Sequence, residues 1–262
     1  MGSASREALA KAQLKLSGLG SKVNASVAGE LLSAAAALGN SAALRSALAD
    51  NVVDAKIKQK LVKDLFAQAS APTRALLDDI ASHRWSSSED VTDALENLGI
   101  RATAIVEKGS LDEKLLAINA LIASNHELEL TLGSKLGDSA AKGDLIEKLL
   151  KSQASAGAIQ IVSHLVRNAN GRRIGAMLNH AASIVADQRG FTLADVTVAA
   201  PLNKETTVRL EKSLTKIYDR AVKINFSIDP AILGGMRIQI GDDVIDGSVA
   251  TRLKELKLQL AS

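Results

Sequence analysis

Only three prolines, Pro72, Pro201 and Pro230, interrupt 262 residues, and none falls inside a long apolar-periodic stretch. With so few breakers, apolar residues recurring every three or four positions read as helix after helix from the start to about residue 190. Leu9, Ala12 and Leu16 share one face of a first helix near Ser5–Leu16. An alanine-rich helix follows at about Val23–Leu38, then shorter ones at about Ala42–Ala49 and Ala55–Ala67. Pro72 suits the first turn of the next, which carries Leu76, Leu77 and Ile80 in one stripe. Ser86–Ser88 break the chain, Ser88 is the expected N-cap, and a helix over about Glu89–Glu107 follows. Aromatic residues make up 2% of a chain that is 47% apolar, so the core is aliphatic.

One offset brings the helical pattern round again. Shifted by 85 residues, Leu31 meets Leu116, Asn40 meets Asn125, Lys63 meets Lys148, and Gln68-Ala69-Ser70-Ala71 meets Gln153-Ala154-Ser155-Ala156. The stripe at Leu76, Leu77 and Ile80 returns as Ile161, Val162 and Leu165. Identities and periodicity stay in step, which is the mark of an internal duplication, with repeats at about 30–105 and 115–190.

After Gly190 the period changes from 3.6 to 2. Val196 and Val198 alternate with Asp195 and Thr197, and Pro201 ends the strand. Asn203 is placed to cap a helix reaching Asp219. A second strand alternates Val222, Ile224, Phe226 and Ile228 with Lys223, Asn225, Ser227 and Asp229. Gly234-Gly235 make a turn into a third strand with Met236, Ile238 and Ile240 on one face. Val244 and Ile245 form a short apolar patch, and a last helix from Ser248 is expected to bury Val249, Leu253, Leu256 and Leu260. The fold expected is mainly α: a multi-helix bundle over 1–190, extended by a repeated segment, then a small α+β module over 191–262.

Chemistry is not in evidence. There is no phosphate-binding GxxxxGK[ST] loop, and His83, His126, His164 and His180 lack metal-site spacing. Asp242-Asp243-Val244-Ile245-Asp246-Gly247 fails as a calcium loop, because Val244 fills a ligand position and Leu253 stands where the bidentate Glu belongs. No GxSxG elbow occurs, and the absence of cysteine excludes thiolate sites and disulfides. No catalytic residue, cofactor or metal is expected. Basic and acidic residues number 32 and 29, and the part from Phe191 onward holds ten against nine, so no basic block suggests nucleic acid. No stretch reaches the roughly 18 apolar residues of a membrane span, so membrane association is expected only indirectly. Alanine-rich helices with shallow ridges suit either docking of a partner helix or close packing among themselves.

The C-terminal run Val222–Pro230, then Gly234-Gly235-Met236-Arg237-Ile238-Gln239-Ile240-Gly241, then Asp242–Ser248 with Arg252-Leu253, resembles the signature of the ATP synthase delta family. That family includes the mitochondrial oligomycin-sensitivity-conferring subunit. The resemblance implies a non-catalytic connector between the catalytic head and the peripheral stalk. Its helical bundle would grip the N-terminal helices of alpha subunits between its first and fifth helices, here Leu9, Ala12 and Leu16 with Leu76, Leu77 and Ile80, or the second copy at Ile161, Val162 and Leu165. Its C-terminal module would bind the C-terminal region of the b subunit through Gly234, Gly235, Ile238, Ile240, Val244 and Ile245. A helical adaptor outside that complex is the alternative. Typical bacterial members are shorter by nearly one repeat, which leaves open which copy completes the usual six-helix bundle. No stalk-like helix precedes the bundle, so the stalk subunit is expected to be a separate polypeptide.

Overall fold

The computed structural model describes residues 1–253 apart from 135, 231, 233, 242, 250 and 252. The chain divides into two compact units, Met1–Val185 and Ala186–Ser262.

Eleven helices build the first unit: α1 (Ser3–Gly18), α2 (Ala25–Gly39), α3 (Ala42–Ala49), α4 (Ala55–Leu65), α5 (Ala71–Ser82), α6 (Ser88–Val106), α7 (Leu111–Ala123), α8 (His126–Gly133), α9 (Ser139–Leu150), α10 (Ala156–Arg167) and α11 (Ile174–Gln188), the last running on into the second unit. Their starts are set by side chains that satisfy the otherwise unpaired N–H groups of a first turn. Asn24 accepts from the Val27 N–H at 3.0 Å, Ser41 from Leu44 at 3.3 Å, and Asn125 from Leu128 at 3.0 Å. Asp54 and Asp138 do the same for α4 and α9. At α6 the cap is Ser87, not Ser88: Ser87 has extended backbone and accepts from the Asp90 N–H, while Ser88 is already helical.

Helices α2 to α5 recur as α7 to α10 at the 85-residue offset, and α5 and α10 begin and end in register. The same offset superposes Ser3 of α1 on Ser88 of α6. α6 therefore ends one six-helix set, α1–α6, and begins another, α6–α11. One face of α6 (Val91, Ala94, Leu95, Leu98 and Ala102) lies in the first core with Ala8, Ala12, Leu16, Leu31, Leu38, Leu76 and Ile80. Another faces α10, where Glu96 meets His164 at 3.1 Å. A helix apolar or engaged on most sides is a buried central helix, and α6 is the longest helix among the described residues.

Among the described residues no single helix is long and apolar enough to cross a membrane. α2 and α3 together meet that length and composition, but the chain bends by 103° between them, and α2 buries seven of its residues in the bundle.

The second unit is a four-stranded sheet of order β2-β1-β3-β4, with β1 (Thr192–Val198), β2 (Val222–Ile228), β3 (Met236–Ile240) and β4 (Asp243–Asp246). α12 (Lys204–Tyr218), capped by Asn203 through the Thr206 N–H, crosses between the parallel strands β1 and β2. β3 runs antiparallel to β1, and β4 antiparallel to β3. Ala194, Val196, Val198, Val222, Ile238 and Ile240 form the core with Leu214 of α12. Val244 and Ile245, read from the sequence as a patch, lie in β4, which is too short to announce itself by alternation. Val249 and Leu253 are exposed, against the expectation of burial. The expected positions of Leu256 and Leu260 lie outside the described residues.

Candidate interaction surfaces

α1 and α5 run antiparallel along one side of the first unit. Lys15 of α1 pairs with Asp79 of α5 at 3.1 Å, and Asp79 also meets His83 at 3.1 Å. The start of α5 is fixed from α2: the Ser70 N–H and hydroxyl and the Thr73 hydroxyl all donate to the Glu30 carboxylate. Burial pushes that carboxyl up, and the Ser70 and Thr73 hydrogen bonds outweigh it, so the group lies below its ordinary value. In the second set Glu107 does the same for α10, accepting from the Gly157 N–H at 3.0 Å. A cleft of about 670 Å³ opens where α1 meets the end of α5, lined by Ala4, Glu7 and Lys11 on one wall and by Ser82, His83 and Trp85 on the other.

Of the nine residues expected to line an alpha-subunit groove, Ala12, Leu16, Leu76, Leu77, Ile80, Ile161, Val162 and Leu165 are each 2% exposed or less. Their stripe is the core stripe. They hold the groove walls together and cannot touch a docked partner. Leu9 is half-buried against the first core. What α1 and α5 present outward are neighbours the apolar pattern passes over: Leu14, 74% exposed, with Lys11, Lys15, Ala75, Asp78 and Asp79. Their only sequence signal is that they lie off the stripe.

On the C-terminal unit the structure separates the six expected stalk contacts. Ile238 and Ile240 are core residues, 6% exposed. Val244 and Ile245 are exposed on the edge strand β4 and, being adjacent, point to opposite faces. Gly234 and Gly235 are fold determinants. Gly235 has φ +81°, and a Cβ there would collide with the Gly247 carbonyl oxygen. The Val249 N–H donates to the Gly234 carbonyl at 3.1 Å, and the Gly247 N–H to Met236 at 2.9 Å. The double glycine and the Asp-Gly-Ser step thus interlock. Asp246 accepts from the Ser248 N–H at 2.9 Å, which holds its carboxyl below the ordinary range. β2, the other edge strand, exposes Phe226 and Ile228 at its end.

Among the described residues no group of three or more His, Asp or Glu side chains is placed to hold a metal ion.

Comparison with known proteins gives these surfaces a context. The family model described as "ATP synthase delta (OSCP) subunit" matches residues 101–260, from the last turns of α6 through α7–α11 and into the C-terminal unit. The ATP synthase subunit delta of Leifsonia xyli is 46% identical over 263 residues, spanning all of both chains. Those of Streptomyces coelicolor and Streptomyces avermitilis are 38% and 35% identical, covering 100% and 99% of this chain and 99% and 98% of theirs. The alignments run end to end, so the added helical set is shared with these relatives. The chain belongs to the ATP synthase delta (OSCP) family.

Proposed function

We propose that the chain is a non-catalytic connector of the F1 part of a proton-translocating ATP synthase, tying the alpha/beta head to the peripheral stalk and resisting the torque of the rotor. The observation that carries this is the end-to-end match to delta subunits, which takes in the C-terminal unit and both helical sets. The helical unit takes the N-terminal helix of an alpha subunit, and the C-terminal unit takes the C-terminal region of the b subunit. The protein then sits peripherally at the cytoplasmic face of the cell membrane, held there through the complex.

Resisting torque demands slow dissociation, which buried apolar contact supplies and screened surface ion pairs do not. A helix laid along α1 and α5 would cover the Lys15–Asp79 bridge, with Leu14 on the α1 side and Ala75 on the α5 side. On the C-terminal unit, Val244 and Ile245 supply apolar surface at a sheet edge.

The test is calorimetry of the full chain with two synthetic peptides, one from the cognate alpha subunit's N-terminal segment and one from the end of the b subunit. Each should bind saturably. Val244→Asp with Ile245→Asp should weaken only the b-peptide, by tenfold or more, since both side chains are exposed. Absence of binding by both peptides at tens of micromolar would refute the connector reading.

A further inference from the structure

The two six-helix sets offer an internal comparison. In the first, α1 packs antiparallel on α5; in the second, α6 packs on α10, with the bridging residue one turn earlier on α6 than the 85-residue offset from Lys15 would place it. His164, which meets Glu96 in the second set, stands 85 residues after Asp79, which pairs with Lys15 across the first; Glu96 itself stands 85 residues after Lys11, one turn before Lys15. Each pair of helices has an outer groove on the side away from its own core.

The outer groove of the second set is not empty. α2 lies across it and touches both walls. On the α6 wall, Leu32 of α2 packs so closely on Gly99 that a Cβ at 99 would stand 2.6 Å from the Leu32 Cδ2 and 3.2 Å from its backbone nitrogen. On the α10 wall, a Cβ at Gly29 would stand 2.8 Å from the Gln160 Nε2. Glycines at both points of crossing let helix backbones approach closely. In the first set the 85-residue offset puts Leu14, 74% exposed, at the place of Gly99, and matching the bridging pairs puts Gly18 there, where an added Cβ would meet nothing within 4 Å; the residue corresponding to Gln160 is Ala75. The seat that α2 fills in one set is open in the other.

We infer that α2 is a built-in occupant of the α6/α10 groove, so that the chain accepts one external helix, at α1/α5, and not two. The occupant of the open groove has the chemistry of α2 itself: a helix with a small, apolar face to lie over Leu14 and Ala75. A basic residue on its α5 side would meet Asp78, while Lys15 and Asp79 are already paired with one another and Lys11 with Glu7. This rests on the connector reading for the identity of the external helix, and on the structure alone for the seating of α2.

Two measurements on the full chain separate these parts. The natural sequence has no cysteine, so Gly29→Cys with Gln160→Cys gives a clean pair. It should join nearly completely with a short bifunctional thiol reagent under native conditions. Failure to join overturns the occupancy of the second groove, whatever any peptide does. Calorimetry with the alpha-subunit N-terminal peptide should then give one site per chain. Affinity should fall at least tenfold on Ala75→Glu and change less than twofold on joining 29 to 160. Two sites per chain, or binding that survives Ala75→Glu and is lost on joining, overturns the inference. A chain that joins but binds no peptide retains α2 as the occupant and overturns the alpha-subunit helix as the external partner.

Discussion

Glu30 is the most informative single residue to change, because it fixes the wall of the open groove without touching a partner. Its carboxylate accepts from the Ser70 N–H at 3.0 Å, the Ser70 hydroxyl at 2.6 Å and the Thr73 hydroxyl, and its other oxygen accepts from Ser26 at 3.0 Å. Hydrogen bonds to a charged group contribute about 1.5–3 kcal/mol each when dry, and losing a helix cap costs about 1 kcal/mol. The site is half-buried, so water replaces part of what is lost, and a glutamine still accepts some of these donors. Glu30→Gln should therefore cost about 2 kcal/mol, or roughly 4–8 °C in Tm for a unit of this size. The folded carboxyl lies below the ordinary glutamate value of 4.5. A depressed carboxyl contributes stability that is fully present above the unfolded pKa and lost as pH falls through the folded one. The gap between wild type and Glu30→Gln should thus be constant from pH 7 to about pH 5 and close below pH 4.5. Urea unfolding followed by the fluorescence of Trp85, the only tryptophan and 2% exposed, reads it directly. A gap under about 0.5 kcal/mol at pH 7, or one that persists unchanged at pH 3, would refute the reasoning.

Two further outcomes follow from burial and backbone geometry. Lys58 is 4% exposed, and burial pulls its ammonium below the ordinary value despite Asp50 nearby; Lys58→Met should raise stability by about 1 kcal/mol at neutral pH, and the gain should shrink as pH rises toward 10.5, where the unfolded lysine also becomes neutral, as urea unfolding at a series of pH values will show. Gly235→Ala forces a side chain to φ +81° against the Gly247 carbonyl and should cost about 2 kcal/mol or more, speeding hydrogen exchange in β1 and β3 while the Trp85 unfolding curve stays in place.

The fold was legible where one face of an element repeats. The change of period after Gly190, the Asn203 cap and the alternation of Val222 to Ile228 each correspond to an observed element. What did not show was whatever depends on which side of a helix meets a neighbour. The stripe Leu76, Leu77, Ile80 marks a buried face, and a buried face looks the same in sequence whether it closes on its own chain or on a partner. Here it closes on its own chain, so the outward residues had to be found by exposure. The correspondence of α1 with α6 was hidden for a different reason. Across that stretch the 85-residue offset keeps one identity, Ser3 with Ser88. α1 has one core to face, whereas α6 serves two sets, so their side-chain demands diverge while the backbone arrangement is retained.

That double service bears on stiffness. Two helical sets joined by a linker would bend where the linker bends. Here the joint is α6, whose Leu95 and Leu98 are buried in the first core while Glu96 and Thr103 lie against α10 of the second. Each fully buried leucine contributes about 1.5–3 kcal/mol, whereas an exposed, solvent-screened pair such as Lys11 with Glu7 contributes little. Separating the sets would strip α6 from one core or the other, at the cost of several buried side chains at once. α2 adds a second tie, since leaving the α6/α10 groove would uncover the close Leu32–Gly99 contact. A load applied at α1 and α5 would therefore pass into the second set through packed cores. The two sets thus share a packed helix in place of a hinge, and α2, seated against both α6 and α10, ties them a second time.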